Sequence, residues 1–249
     1  ATVIPDAGIA PGFSNLLAAE LAGLTPQRLE IFVGGLPLRR DPPWEYAAPF
    51  SPMDVVAEYE RPARLKRAGR DVAEPALSGC HPFRLPPGLV SALPDGTALE
   101  AFLTDGLRSL LVLPVPEMAE FTLRYPGHAA RFAALRDSGA LAGERREATL
   151  ATLFRAWRLE PGESEFTHLQ VLGTFADGSQ RGWLVHDNGA GGWSSMARTT
   201  GLTACAFARE LLAGTIAGPG VVMPEACARA LPAVREYLQS RGVTVERVA

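Results

Sequence analysis

The residues best suited to chemistry lie in Thr122-Leu123-Arg124-Tyr125-Pro126-Gly127-His128, where a β-prone run ends in Pro-Gly and a helix is expected to begin at His128. An arginine at a strand end can clamp a carboxylate through two parallel hydrogen bonds. A histidine at the adjoining helix start can take and return a proton near neutral pH. A surface arginine beside a capping histidine fits the same residues, so both readings stay open on local pattern. Other chemistries find less support. A dinucleotide cradle needs Gly-x-Gly-x-x-Gly between a strand and a helix; the nearest run, Gly189-Ala190-Gly191-Gly192, follows a hairpin, and no Walker-type lysine follows any glycine run. Binding of a whole nucleotide by this chain alone is therefore not expected. His81, His128, His168 and His186 are scattered, and Cys80, Cys205 and Cys227 are not at ligand spacing, so no metal site is expected. A Gly-x-Ser-x-Gly nucleophile turn is also missing.

The elements that must position these groups can be read from periodicity and turn residues. Val3-Ile4-Pro5 reads as a strand. A helix from Ser14 to Ala22 follows, with Ser14 or Asn15 as its cap. Leu29 to Val33 reads as a strand ending in Gly34-Gly35, and Leu36 to Pro52 as a long ordered loop. Ser51 to Glu60 fits a capped short helix, and Ala63-Arg64-Leu65-Lys66 with Val72-Ala73-Glu74 a hairpin. The Pro/Gly-rich stretch 79–98 holds at most a short strand at Leu89 to Leu93. Leu99 to Leu103 and Met118 to Arg124 read as strands, with a capped turn of helix at Thr104 to Ser109. Ala129 to Leu135 and Thr149 to Trp157 read as helices. Phe166 to Phe175 and Gln180 to His186 form a hairpin about Asp177-Gly178. Helices at Ser195 to Ala213 and Glu225 to Arg241 precede a strand at Thr244 to Val248. The fold class expected is α+β: a mixed, largely antiparallel sheet with helices on one face, and two ends that belong together.

Composition bounds the partners. The 249 residues are 47% hydrophobic and 20% charged with a net charge of −3, which gives no basic footprint for nucleic acid. No apolar run is long enough to span a bilayer, so no membrane partner is expected, and three unpaired-looking cysteines suit a reducing cytoplasm. The chain opens with Ala1 and runs at once into β-prone residues, which suggests a piece of a longer protein; removal of an initiator methionine is the simpler alternative.

Several segments, in order across nearly the whole chain, together resemble the saccharopine dehydrogenase and lysine 6-dehydrogenase family. They are Gly8-Ile9-Ala10-Pro11-Gly12-Phe13-Ser14-Asn15, Gly34-Gly35-Leu36-Pro37 followed by Tyr46 and Phe50-Ser51, Phe102 to Leu110 through Thr104-Asp105-Gly106-Leu107-Arg108, and Thr122 to His128. Met196 to Gly201, Gly214-Thr215-Ile216 and Gly220 to Glu225 complete the set. The Phe102 and Thr122 segments resemble the lysine-dehydrogenase branch in particular.

The resemblance implies an oxidoreductase using NAD or NADP, held mainly by a Rossmann half that this chain does not carry. Residues 1–25 would be the closing strand and helix of that dinucleotide-binding domain. Residues 26–190 would form an α+β substrate-binding and dimerisation domain, and 191–249 helices that return to the dinucleotide side. The implied reaction oxidises a C–N bond of an amino acid by hydride transfer, giving an imine and then an aldehyde. A saccharopine-type reaction, or a non-catalytic ligand-binding domain, is the alternative. The roles implied are His128 and Asp6 as catalytic groups, and Arg124, Arg108, Gly34, Gly35, Tyr46 and Thr200 for substrate. Gly8, Pro11 and Gly201 would face the cofactor. Structural rivals to these roles are a turn cap for Asp6, an ion-pair partner for Arg108 and an ordinary helix position for Thr200. A small amino-acid substrate and a homodimer are the partners expected.

Overall fold

The computed structural model describes residues 1–248. In chain order the elements are β1 (Thr2–Val3), α1 (Phe13–Ala22), β2 (Arg28–Pro37), α2 (Pro52–Glu60), β3 (Ala63–Arg67), β4 (Arg70–Glu74), β5 (His81–Arg84) and β6 (Ala98–Leu103). They continue with β7 (Glu117–Arg124), α3 (His128–Asp137), α4 (Arg146–Ala156), β8 (Glu165–Thr174), β9 (Gln180–Asp187), α5 (Ser195–Leu212), β10 (Gly220–Val221), α6 (Leu231–Gln239) and β11 (Thr244–Val248). Nine strands form one mixed sheet in the order β11-β9-β8-β2-β7-β3-β4, with β6 also on β7 and β5 on β6. The β2–β7 pairing is parallel and the sheet's other pairings are antiparallel. The α+β class read from the sequence is the class observed.

Register decides which side chains meet. Ile31 of β2 pairs with Glu120 of β7, and Val33 with Thr122. Because side chains alternate across a strand, Ile31, Val33 and Gly35 share a face with Glu120, Thr122 and Arg124. Helices α1 and α5 pack over β8 on this face. Phe102, opposite Thr122, carries the Tyr59 ring of α2 at 5.6 Å, which starts a second apolar cluster with Phe132 and Trp157. The other face holds Phe32 stacked on Phe121 at 5.2 Å, with His81, Phe83 and the facing pair His168 and His186.

Three expectations are corrected. Residues 89–93 form turns, and the strand of that stretch is instead His81–Arg84. Phe83 gains burial against Phe32, while Pro82, which cannot donate to a ladder, is tolerated because β5 is an edge strand. Strand β2 runs on through Gly34-Gly35 to Pro37, paired with β8 along its length. The expected helix from Glu225 to Arg241 is a 3-10 segment, Pro224–Ala230, followed by α6; Cys227 sits at the kink, and Pro232 suits the first turn of a new helix.

The ends do meet, since β1 pairs in parallel with β10. Buried Asn15 ties them further: its Oδ1 accepts from Gly12 N at 3.0 Å, and its Nδ2 donates to Glu225 Oε2 at 2.9 Å and Ser109 Oγ at 3.3 Å. The N-cap of α1 is therefore Gly12, with Asn15 bonding back to it from inside the helix. Side chains from residues 1–25, 26–190 and 191–248 contribute to one continuous apolar core. Among the described residues no helix is long and apolar enough to cross a membrane, and no three His, Cys, Asp or Glu side chains are grouped to hold a metal ion.

Candidate functional site

A cavity of about 240 Å³ opens beside the β2–β7 junction. It is lined by Val33, Gly34 and Gly35 of β2, Glu120, Thr122 and Arg124 of β7, Glu58 of α2, Met196 and Thr200 of α5, and by Ile9, Ala10 and Phe50. Arg124 is 3% exposed, and no carboxylate lies within ion-pair distance of it among the described residues. Its Nε donates to Tyr59 Oη at 2.8 Å, Nη1 to the Leu123 carbonyl at 2.8 Å and Nη2 to Tyr46 Oη at 3.3 Å, and the guanidinium lies 4.4 Å from the Tyr46 ring centre. A buried guanidinium held by neutral acceptors is a charge still in need of an anion.

His128 stands behind this group rather than at the cavity. Arg124 Nε can only donate, so the Tyr59 oxygen accepts from it and its O–H points to His128 Nε2, 3.2 Å away. That leaves the His128 proton on Nδ1, which donates to the Trp44 carbonyl at 3.2 Å. Burial first, and the Arg124 charge second, push the His128 pKa down to about 3. The role of proton acceptor therefore does not fall to His128, because both ring nitrogens are engaged and neither reaches the cavity. Tyr59→Phe is expected to cost about 2–4 kcal/mol, because it leaves Arg124 Nε and His128 Nε2 unpartnered in the interior. Urea denaturation checks this, and a change below about 0.5 kcal/mol would show that the hydroxyl is not the bridge.

The other residues singled out in the sequence distribute as follows. Gly34, Gly35 and Thr200 line the cavity with Arg124, and Tyr46 lies behind it. The two glycines serve packing more than ligand approach: a Cβ at Gly34 would lie 2.8 Å from the Leu123 carbonyl, and one at Gly35 2.8 Å from Met196 Cε. Asp6 and Arg108 are paired with each other at 3.2 Å, which commits both charges outside the lining. Gly8 packs against Thr200, where a Cβ would lie 3.2 Å from Cγ2, and its N–H donates to the Pro11 carbonyl at 3.1 Å. Gly201 lies on the exposed side of α5, where a Cβ would meet open space.

Sequence reading missed Glu58, Glu120 and Tyr59, and gave Thr122 no role of its own. The available signal was the alternation Glu120-Thr122-Arg124, three polar residues on one face of a strand whose remaining residues after Glu117 are apolar. Burial, then the nearby Glu58 and Asp105 charges, lift the Glu120 pKa to about 8, with Arg108 opposing. Burial also raises Glu58, against Arg124.

These shifts set the pH dependence of stability in opposite senses. Below pH ~6.5 the unfolded chain binds protons that buried His128 and His168, both lowered to about 3, refuse in the fold. Their contribution is therefore lost on acidification from pH ~6.5 towards 3. Glu120 keeps a proton that the unfolded chain loses above pH ~4.5, so its contribution is lost as pH rises towards about 8. Denaturation midpoints between pH 6.5 and 8 are expected to fall less steeply with rising pH in Glu120→Gln than in the unaltered protein. Equal slopes would show that Glu120 is ionised in the fold at neutral pH.

The sequence matches the model of the saccharopine dehydrogenase C-terminal domain over residues 8–243. The structure is similar to apo saccharopine dehydrogenase (L-Glu forming) from Saccharomyces cerevisiae, with TM-score 0.74 and 19% identity, covering all of this chain and 74% of that one. It is also similar to homospermidine synthase from Legionella pneumophila in complex with NAD, with TM-score 0.63 and 12% identity, covering 99% of this chain and 64% of that one. At these identities the two likenesses speak to the fold, while the family model spans nearly the whole sequence. The chain belongs to the saccharopine dehydrogenase C-terminal domain family.

Proposed function

We propose that this chain is the substrate-binding part of an NAD- or NADP-dependent oxidoreductase that oxidises the C–N bond of an amino acid, with lysine oxidised at its side-chain amine as the preferred reading. The observation that carries it is Arg124: a buried guanidinium on the wall of a cavity, without a carboxylate partner, is a site for a substrate carboxylate. Tyr46 and Tyr59 fix the plane of the guanidinium, so the ligand meets a preset fork of donors.

The residues present suit the ring end of a nicotinamide dinucleotide. Ile9, Ala10 and Met196 give the cavity apolar lining, and Thr200 adds a hydroxyl. The turns of this chain include no glycine-rich cradle for the diphosphate. When bound, the cofactor would supply the hydride acceptor. Saccharopine is the second candidate substrate, but its further carboxylates call for further cations. Arg124 is the one basic residue lining the cavity among the described residues.

The test is to incubate the intact enzyme, this chain together with its dinucleotide-binding half, with L-lysine or with saccharopine and NAD or NADP, following reduced nicotinamide and identifying the products. Aldehyde formation from lysine is the expected result. Turnover of saccharopine alone would replace lysine with saccharopine, and binding of an amino acid without turnover would make this a ligand-binding domain.

A further inference from the structure

The cavity has a second pole that the carboxylate reading does not use. Glu120 is 8% exposed and lines the cavity, yet no described residue donates a hydrogen bond to its carboxyl group. Glu58, on the facing helix α2, also lines the cavity and has no ion-pair partner within reach. Of the charges around them, Arg124 acts on Glu58 from beyond ion-pair distance, and two others are already committed. Asp105 is held by Arg64 at 2.8 Å and Arg61 at 3.2 Å, and Arg108 by Asp6 at 3.2 Å. The Thr122 and Thr104 hydroxyls bond to each other at 2.9 Å. A buried carboxyl without donors, aimed into a cavity and flanked by a second one, is complementary to a cation.

Position along the strand then selects the kind of cation. Glu120 and Arg124 lie on the same face of β7, four residues and on the order of 13 Å apart along the strand. An α-amino group shares a carbon with its carboxylate and cannot serve both poles. An amine several bonds from the carboxylate can.

We propose that Glu120, with Glu58 beside it, is the ammonium subsite for an amino acid bearing a terminal amine, and that Glu120 takes the proton from that amine. This rests on the reading of the cavity as an amino-acid site. In the step, an N–H bond of the substrate ammonium breaks and an O–H bond forms on the Glu120 carboxylate. The nitrogen keeps the electron pair, which would be available to assist loss of hydride from the adjacent carbon when a nicotinamide cofactor is bound. The groups facing Glu120 are Glu58 from α2, Asp105 and Arg108 from the segment after β6, and Arg124 at the far end of its own strand.

Calorimetry with L-lysine and L-norleucine, which differ in the terminal amine, tests the subsite without any turnover. Lysine affinity relative to norleucine is expected to rise roughly tenfold from pH 7 to 9, as the carboxyl group ionises through about 8. Glu120→Gln should lose that rise and bind lysine at least ~10-fold more weakly at pH 9, and Glu58→Gln should move the rise to lower pH by removing a like charge. The inference is overturned if lysine and norleucine bind alike at every pH, or if Glu120→Gln keeps the affinity and pH dependence for lysine. If neither ligand binds, the amino-acid reading of the cavity falls, and the subsite with it.

Discussion

Arg124→Met is expected to raise KM for an amino-acid substrate by roughly 30-fold to several thousand-fold while leaving the melting temperature unchanged or higher. The two halves have one cause. Removing one partner of a buried, hydrogen-bonded charge pair costs about 2–5 kcal/mol of binding, and a substrate carboxylate at Arg124 forms such a pair. Without substrate, however, the guanidinium is a buried charge held only by two tyrosine hydroxyls and a carbonyl. Apolar residues of similar volume replace buried charges at little cost or with a gain of about 1–4 kcal/mol. Tyr59 would keep its bond to His128, so the aromatic cluster around Trp157 stays closed. Steady-state kinetics and a thermal melt of one variant check both halves. A large drop in melting temperature with unchanged KM would make Arg124 a structural residue.

Gly106→Ala is expected to lower kcat about 10²–10⁴-fold, the range for loss of a positioned general base, with a small effect on stability. Gly106 lies in the Thr104-Asp105-Gly106-Leu107-Arg108 run, and a Cβ there would sit 1.7 Å from Glu120 Oε1 and 1.9 Å from Glu120 Cδ. The backbone at Gly106 is not in the left-handed region, so alanine is acceptable to the main chain itself. Only the flexible end of the Glu120 side chain must move, which is inexpensive for the fold and decisive for the position of the carboxyl group. Asp105 holds the adjoining backbone by accepting from Arg64 N at 3.1 Å and from the Arg64 side chain, so the segment cannot simply retreat. If Gly106 acts through Glu120, the Gly106→Ala/Glu120→Gln double variant should be no slower than the slower single variant. Additive losses in kcat would separate the two residues and end this account of the motif.

Helix α2 begins after Ser51, whose hydroxyl accepts from Asp54 N, as its capping pattern implied, and the β8–β9 hairpin turns at Asp177-Gly178 as read. Such features depend on residues a few positions apart, where side-chain chemistry acts directly on the backbone, and so they are legible in the sequence. Strand β5 was displaced from its expected place because the choice between His81–Arg84 and Leu89–Leu93 turns on Phe83 meeting Phe32, a partner about fifty residues away along the chain. Arg124 and His128 were both singled out, yet one lies at the cavity and the other behind it, separated by the hydroxyl of Tyr59.

By itself, the sequence determined the class of fold, most element boundaries to within a few residues, the family, and Arg124 as the candidate carboxylate anchor. Each of these is written in local periodicity, turn chemistry or ordered motifs. Only the tertiary structure decided that Asp6 and Arg108 neutralise each other, that His128 orients Tyr59, and that Glu120 and Glu58 face one cavity. The physical reason is that a charged side chain's role depends on which opposite charge reaches it and how much water is left around it. In this chain those facts are set by the parallel register of β2 on β7 and by the helices laid over that face.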